Sequence, residues 1–178
     1  MDSFLGVVFS GAGVQVIKSF FKGEWNKFEF DLFISYPMKA FSDTEDKDKL
    51  REIVISTKNE FQENSKFKIF ASLDDSFSKD GKKLTSQTDD FDALKKSKEY
   101  LLIYPKPLAS SVLMELGCAL CMNKRITIFV KNKEDLPYLM KERIRKSKNI
   151  SIVKFSTYEE LQDNLQDKIK EKISLKCK

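Results

Sequence analysis

The chain has 178 residues, of which 41% are hydrophobic and 12% aromatic, so it can bury one sizeable core and its length suggests one domain. The formal net charge of +5 comes from lysines scattered along the sequence. Basic and aromatic residues are not interleaved as in a nucleic-acid interface, so we expect no specific nucleic-acid partner. Histidine is absent, which leaves any acid or base catalysis to carboxylates or tyrosines.

The three cysteines are better explained as thiols than as metal ligands. Cys118 and Cys121 have the spacing of a metal-binding pair, but no second pair accompanies them and they fall in an apolar helical segment. Reduced, buried thiols are typical of proteins in a reducing compartment. We therefore predict no metal site and a cytoplasmic location.

An uncharged apolar run from Phe4 to Ile17 dominates the start of the chain. It is shorter than the roughly 20 residues that a membrane span needs, and it lacks the basic start of a signal peptide. We predict an apolar helix over residues 1–23, outside the main domain and without a membrane span. Two interpretations stay open: a helix packed on the core, or a helix for self-association or a membrane surface.

From residue 28 onward, short apolar runs alternate with helical patterns. Five strands alternating with helices predict an α/β fold, a doubly wound, flavodoxin-like parallel sheet in the order 2-1-3-4-5 with the extra N-terminal helix. The strands are predicted to begin near Phe28, Phe67, Tyr100, Arg125 and Ile150.

Cap signals predict where several helices begin. Ser/Thr-x-x-Glu capping boxes occur at Ser42 to Glu45 and at Thr157 to Glu160. A short helix is expected around Phe91 to Leu94. Another is expected from Asp135 to Arg145, with Pro137 in its first turn because proline is tolerated there.

A single carboxylate stands out in the central helix, which follows the third strand. From Val112 to Met122 this helix is apolar or small on every side except at Glu115. A capping box would need Ser and Glu three residues apart, whereas Ser111 and Glu115 are four apart. Burying an unpaired carboxylate is costly, so we predict a functional role for Glu115, with a structural ion pair as the alternative.

The predicted topology points to the same place. In the order 2-1-3-4-5, ligands bind outside the carboxyl ends of the first and third strands. Serines at a helix N-terminus there suit the phosphates of a ligand. Together with Glu115, the candidate substrate-binding residues of this crevice are Ser35, Tyr36, Pro37, Met38, Ser110 and Ser111.

Several segments resemble, in order and spacing, those of a TIR domain. The first strand of that family is similar to Phe30–Tyr36 (FDLFISY). The end of its second strand and the following loop, called BB, are similar to Ser72–Asp75 (SLDD) and Gly81–Leu84 (GKKL). The stretch with the glutamate of NAD-cleaving members resembles Ser97–Tyr104, Ala109–Ser111 and Glu115. The resemblance implies a TIR-like domain over residues 28–175 and adds Asp74 to the candidate substrate-binding residues.

This resemblance implies an NAD glycohydrolase or cyclase that cleaves the nicotinamide–ribose bond. Glu115 would stabilise the positive charge that develops on the ribose as nicotinamide leaves. NAD is then the substrate, and no cofactor is expected. The family also implies antiphage immune signalling, with self-association through the N-terminal helix and the TIR loops and with an effector protein that responds to the product.

Two alternatives remain open. Some TIR domains are scaffolds that assemble signalling partners without catalysis. The segment Glu115–Ala119 (ELGCA) also resembles nucleoside deoxyribosyltransferases, whose glutamate acts on an N-glycosidic bond.

Overall fold

The computed structural model describes residues 28–37, 44–71, 86–107 and 111–176. The predicted helix over residues 1–23, the capping box at Ser42, and the candidates Met38, Asp74 and Ser110 lie outside these residues. The strands are β1 (Phe30–Ser35), β2 (Ile69–Ala71), β3 (Ser97–Tyr104), β4 (Arg125–Val130) and β5 (Ile150–Lys154). The helices are α1 (Thr44–Asn64), α2 (Ser86–Lys95), α3 (Ser111–Cys121), α4 (Tyr138–Lys146) and α5 (Tyr158–Lys176), with a 3-10 turn at Lys133–Asp135.

The five strands form one sheet in the order β2-β1-β3-β4-β5, and all four neighbouring pairs are parallel. This confirms the predicted fold class and strand order. In the register of β1 and β3, Phe33 lies opposite Tyr100 and Ser35 lies opposite Leu102. The carboxyl ends of the two central strands therefore meet at one edge of the sheet, where the helix α3 begins.

Helices cover both faces of the sheet, as a parallel sheet requires. One core layer packs α1 and α5 against the face that carries Leu32, Ile34 and Leu101. The other packs α2, α3 and α4 against the face that carries Phe33 and Tyr100. In the part of the chain that the structure describes, every helix is too short or too polar to cross a membrane.

The strand boundaries differ from the prediction where polar residues join the sheet. β1 and β2 each begin two residues later than expected, and Phe28 is 47% exposed. β3 begins three residues earlier, at Ser97, because its polar start finds partners. Ser97 Oγ donates to the carbonyl of Ala93 at 2.7 Å, and Glu99 forms ion pairs. The pattern of apolar residues in the sequence does not show these polar partners, so it places the start of β3 too late.

The helix predicted from Asp135 to Arg145 is instead a 3-10 turn followed by α4. Leu136 has an extended backbone (φ −72°, ψ 142°), because the residue before a proline is pushed out of the helical region. Pro137 therefore precedes α4 as its N-cap and does not lie in its first turn.

The capping box before α5 forms as predicted. The amide N–H of Glu160 donates to Thr157 Oγ1 at 3.1 Å. In return, the Glu160 carboxylate accepts the N–H of Ser156 at 2.7 Å. The reciprocal bond thus falls one residue before the usual partner, so the first bond satisfies an amide of the helix and the second an amide just before it.

Candidate active site

A buried hydrogen bond joins the end of β1 to the helix α3. Ser35 Oγ donates to Glu115 Oε2 at 2.6 Å, which is short, as expected for a hydroxyl that donates to a carboxylate. Ser35 is fully buried and Glu115 is 6% exposed. The structure thus brings together two of the residues that the sequence places in the crevice between the first and third strands.

The local sequence of α3 explains why Glu115 faces inward. Val112, Leu116 and Ala119 are buried on the same side of the helix, at the spacing of one helical face. Their packing against the sheet fixes the rotation of α3. Glu115 then points toward the end of β1, where Ser35 is the hydrogen-bond donor that it meets.

Tyr100 is a polar residue of this site that the sequence pattern marked only as the start of the third strand. Its hydroxyl donates to the carbonyl of Val112 at 3.2 Å, which links β3 to the first turn of α3. Its ring stacks on Phe33 with 5.8 Å between centroids, and Phe33 stacks on Phe70 at 5.1 Å. A buried tyrosine normally needs a partner for its hydroxyl. A tyrosine within an apolar strand is therefore the sequence feature that could have identified Tyr100 as a polar residue of this site.

Burial sets the electrostatics of this cluster. It raises the pKa of the Glu115 carboxyl, the Ser35 hydrogen bond opposes the rise, and the nearby charge of Asp90 adds to it. The pKa of Tyr100 is raised well above its ordinary value by burial and then by Glu115, while a hydrogen bond with Ser35 acts the other way. Tyr100 therefore stays protonated at neutral pH.

The other predicted site residues have different places. Tyr36 follows Ser35 in the chain, and successive side chains of a strand point to opposite faces. It is therefore buried in the core layer under α1 and α5, and the prediction that Tyr36 lies beside Glu115 is corrected. Pro37 is buried, whereas Ser111 is exposed as the first residue of α3. Met38, Asp74 and Ser110 fall outside the described residues.

The arrangement lacks the features of a metal centre. Among the residues that the structure describes, no group of three or more acidic, cysteine or histidine side chains is placed to hold a metal ion. What the cluster offers is one buried carboxylate oriented by a serine hydroxyl. Such a carboxylate can act on an electrophilic or positively charged carbon.

No protein-family model matches the chain, and no curated protein is similar to it. Among solved structures, that of the Clostridium botulinum CMP N-glycosidase BcmB is similar, with a TM-score of 0.51 and 20% sequence identity. The match covers 76% of this chain and 96% of that one. At this identity the similarity shows a shared fold. It agrees with the more distant resemblance noted in the sequence, to nucleoside deoxyribosyltransferases, and none of the comparisons supports a TIR domain.

Proposed function

We propose that the chain is an enzyme that cleaves the N-glycosidic bond of a nucleotide, with Glu115 as its catalytic carboxylate. The observation that carries this proposal is the buried Ser35–Glu115 hydrogen bond at the carboxyl edge of the sheet, the edge where folds of this topology bind ligands. The fold shared with a CMP N-glycosidase supports the same reaction class.

The main group that the reaction needs from the protein is one negatively charged side chain in a fixed position. As the C1′–N bond breaks, its electron pair leaves with the base and positive charge builds on the sugar. The Glu115 carboxylate stabilises that charge or bonds to C1′. Water then supplies the oxygen that ends on C1′ and a proton for a base that departs as an anion. Neither step needs histidine, which this chain lacks.

Ser35 and Tyr100 act as positioning residues in this proposal. The Ser35 hydroxyl holds Glu115 Oε2, and in the described part of the chain no hydrogen bond engages Oε1, which in this proposal faces the sugar. Tyr100 ties the carbonyl of Val112 to β3, so the first turn of α3 keeps its place relative to the sheet. A carboxylate that is fixed by one hydrogen bond, on a helix whose first turn is also fixed, needs little reorganisation as charge develops on the substrate.

Compounds with an N-glycosidic bond include NAD, the substrate that the sequence predicted. The nicotinamide–ribose bond of NAD is itself N-glycosidic, but its base leaves without needing a proton, whereas the base of a pyrimidine nucleotide leaves as an anion. Purified protein should therefore be incubated with CMP, the other nucleoside monophosphates, their deoxy forms and NAD. Chromatography of the released base or nicotinamide then identifies the substrate.

The matched control separates chemistry from folding. Glu115→Gln should lower base release about a hundredfold or more. Glu134→Gln makes the same change at an exposed glutamate of the 3-10 turn and should retain native release. Release of a free base by the native protein and its loss in Glu115→Gln would support the proposal. Release from no compound of the panel would reject the proposal in favour of a non-enzymatic scaffold. Equal release by both variants would reject Glu115 as the catalytic group.

A further inference from the structure

A second concave site lies at the opposite edge of the sheet from Glu115. A cavity of about 390 Å³ opens at the amino ends of β1, β3, β4 and β5, beside the last turns of α5. This volume is within the range of small-molecule sites in proteins. Its charged walls include Lys98, Glu99, Arg125, Lys148, Lys168 and Lys172.

The cavity carries an excess of positive charge. Five lysine or arginine side chains line it against the three carboxylates of Asp31, Glu99 and Glu171, which leaves two positive charges unbalanced. Cations that line a cleft raise the local concentration of anions. The lining therefore favours a ligand with two negative charges.

The carboxylates of this cavity already have cationic or N–H partners. Glu99 Oε1 contacts the Arg125 guanidinium at 2.6 Å, and Glu99 Oε2 contacts the Lys172 ammonium. Asp31 accepts from Lys98 Nζ at 2.8 Å and from the N–H of Lys68 at 2.9 Å. Arg125 and Lys172 together carry one positive charge more than the single carboxylate of Glu99 can neutralise.

Lys148 supplies the second excess charge. It is exposed at the turn before β5, and among the residues that the structure describes no carboxylate lies within ion-pair distance of its ammonium group. Each of the other four cations has a carboxylate partner: Asp31 for Lys98, Glu171 for Lys168, and Glu99 for Arg125 and Lys172. Lys148 is therefore the cation of this cavity that is free to meet a ligand.

We propose that this cavity binds the dianion of a phosphate or a phosphate monoester. Its charge matches the excess, and the Arg125 side chain, which is 70% exposed, has donors left beyond its contact with Glu99. Guanidinium groups bind phosphate oxygens with geometric specificity. The site is separate from the Ser35–Glu115 cluster, so the proposal does not depend on the proposed reaction.

The test is a titration with inorganic phosphate and with ribose 5-phosphate, with sodium chloride holding the ionic strength constant. Isothermal calorimetry and the thermal unfolding midpoint report binding. We expect phosphate to bind and to raise the midpoint, and Lys148→Gln to weaken its affinity roughly fivefold. Tighter binding of ribose 5-phosphate that Lys148→Gln weakens would assign the site to a monoester, and equal or weaker binding would assign it to free phosphate. Because ribose 5-phosphate is also the sugar product of the proposed reaction, binding that Lys148→Gln leaves unchanged would belong to the Glu115 crevice and would reject the proposal for this cavity.

The control is Lys154→Gln, which removes the same charge from the exposed end of β5 at the other edge of the sheet. It should leave phosphate affinity unchanged. Equal weakening by both variants would mean that phosphate responds only to the overall charge of the protein, and the proposal would be wrong. Stabilisation no larger than that given by chloride alone would also reject it.

Discussion

The two edges of the sheet each contain a buried glutamate, in opposite electrostatic settings. At the amino edge, Glu99 lies between Arg125 and Lys172, and both of its oxygens are engaged by cations. At the carboxyl edge, Glu115 receives a hydrogen bond from a neutral hydroxyl, and among the described residues no cation contacts it. A buried carboxylate that is matched by cations contributes to structure. One that is oriented by a neutral hydroxyl and is not paired with a cation is, under the proposed function, available to a substrate.

The largest effect is expected from removing the charge of Glu115. Glu115→Gln preserves the volume and a hydrogen bond to Ser35, so the variant should fold with a melting temperature close to or above that of the native protein. Base release should fall about a hundredfold or more, because the charge that stabilises the sugar cation is gone. Steady-state kinetics and calorimetry on the same samples measure both. A stable variant with native activity would place the catalytic group elsewhere.

Glu99→Gln should have the reciprocal effect. Lys172, whose side chain is 13% exposed, would lose its carboxylate partner, and the variant should lose about 2 kcal/mol in the free energy of unfolding. The expected loss is below that of a fully buried pair because Arg125 is mostly exposed and contributes little. Urea denaturation measures this change. Turnover per folded molecule should stay native, and a parallel loss of turnover would contradict the separation of the two edges.

The pH dependence sharpens the same comparison. The pKa of Glu115 is raised in the folded protein, so between its usual value and the raised value the folded state binds more protons than the unfolded state. Stability is then highest below this window and declines as the pH rises through it. Activity should rise over the same window, because the ionised carboxylate is the active form.

Two profiles check this expectation, kcat/KM and the melting temperature, each measured against pH. The difference in melting temperature between the native protein and Glu115→Gln isolates the contribution of this carboxyl. A native protein that gains stability relative to the variant as the pH rises through the window would reverse the sign and disprove the raised pKa.

The sequence predicted the sheet well because apolar runs and crossover rules determine strand order. It singled out Glu115 because burying an unpaired carboxylate in an apolar helix is costly, and Glu115 is indeed buried, whereas its functional role stays a prediction. It missed the start of β3, since the partners of Ser97 and Glu99 lie 4 to 73 residues away in the chain. It placed Tyr36 in the site because a shared loop was expected, whereas the alternation of side chains along a strand sends it to the other face.

The smallest expected effect concerns a buried polar atom that belongs to neither edge. Thr57 Oγ1, in α1, is fully buried and has no hydrogen-bond partner among the described residues. Thr57→Val keeps the shape and removes an unsatisfied hydroxyl, so it should stabilise the protein by up to about 1 kcal/mol.

Thr127→Val provides the matched control. Thr127 is also buried, but its Oγ1 accepts a hydrogen bond from Ser151 Oγ at 3.3 Å, so the same change should be neutral or destabilising. Denaturant melts of the two variants, side by side with the native protein, decide the matter. If Thr57→Val is destabilised as much as Thr127→Val, the Thr57 hydroxyl has a hydrogen-bond partner in solution and the expectation is wrong.

The position of β1 in the middle of the sheet has a consequence for synthesis on the ribosome. β1 pairs with β2 on one side and β3 on the other, and Phe33 precedes its neighbour Tyr100 by roughly 70 residues. At about 5–20 residues per second, the ribosome needs several seconds to deliver that neighbour. During this interval the nascent chain exposes, with an open edge, a strand of which five of the six residues are buried in the folded protein. Early chaperone contact with the segment Phe30–Ser35 is therefore expected while β3 is still being made.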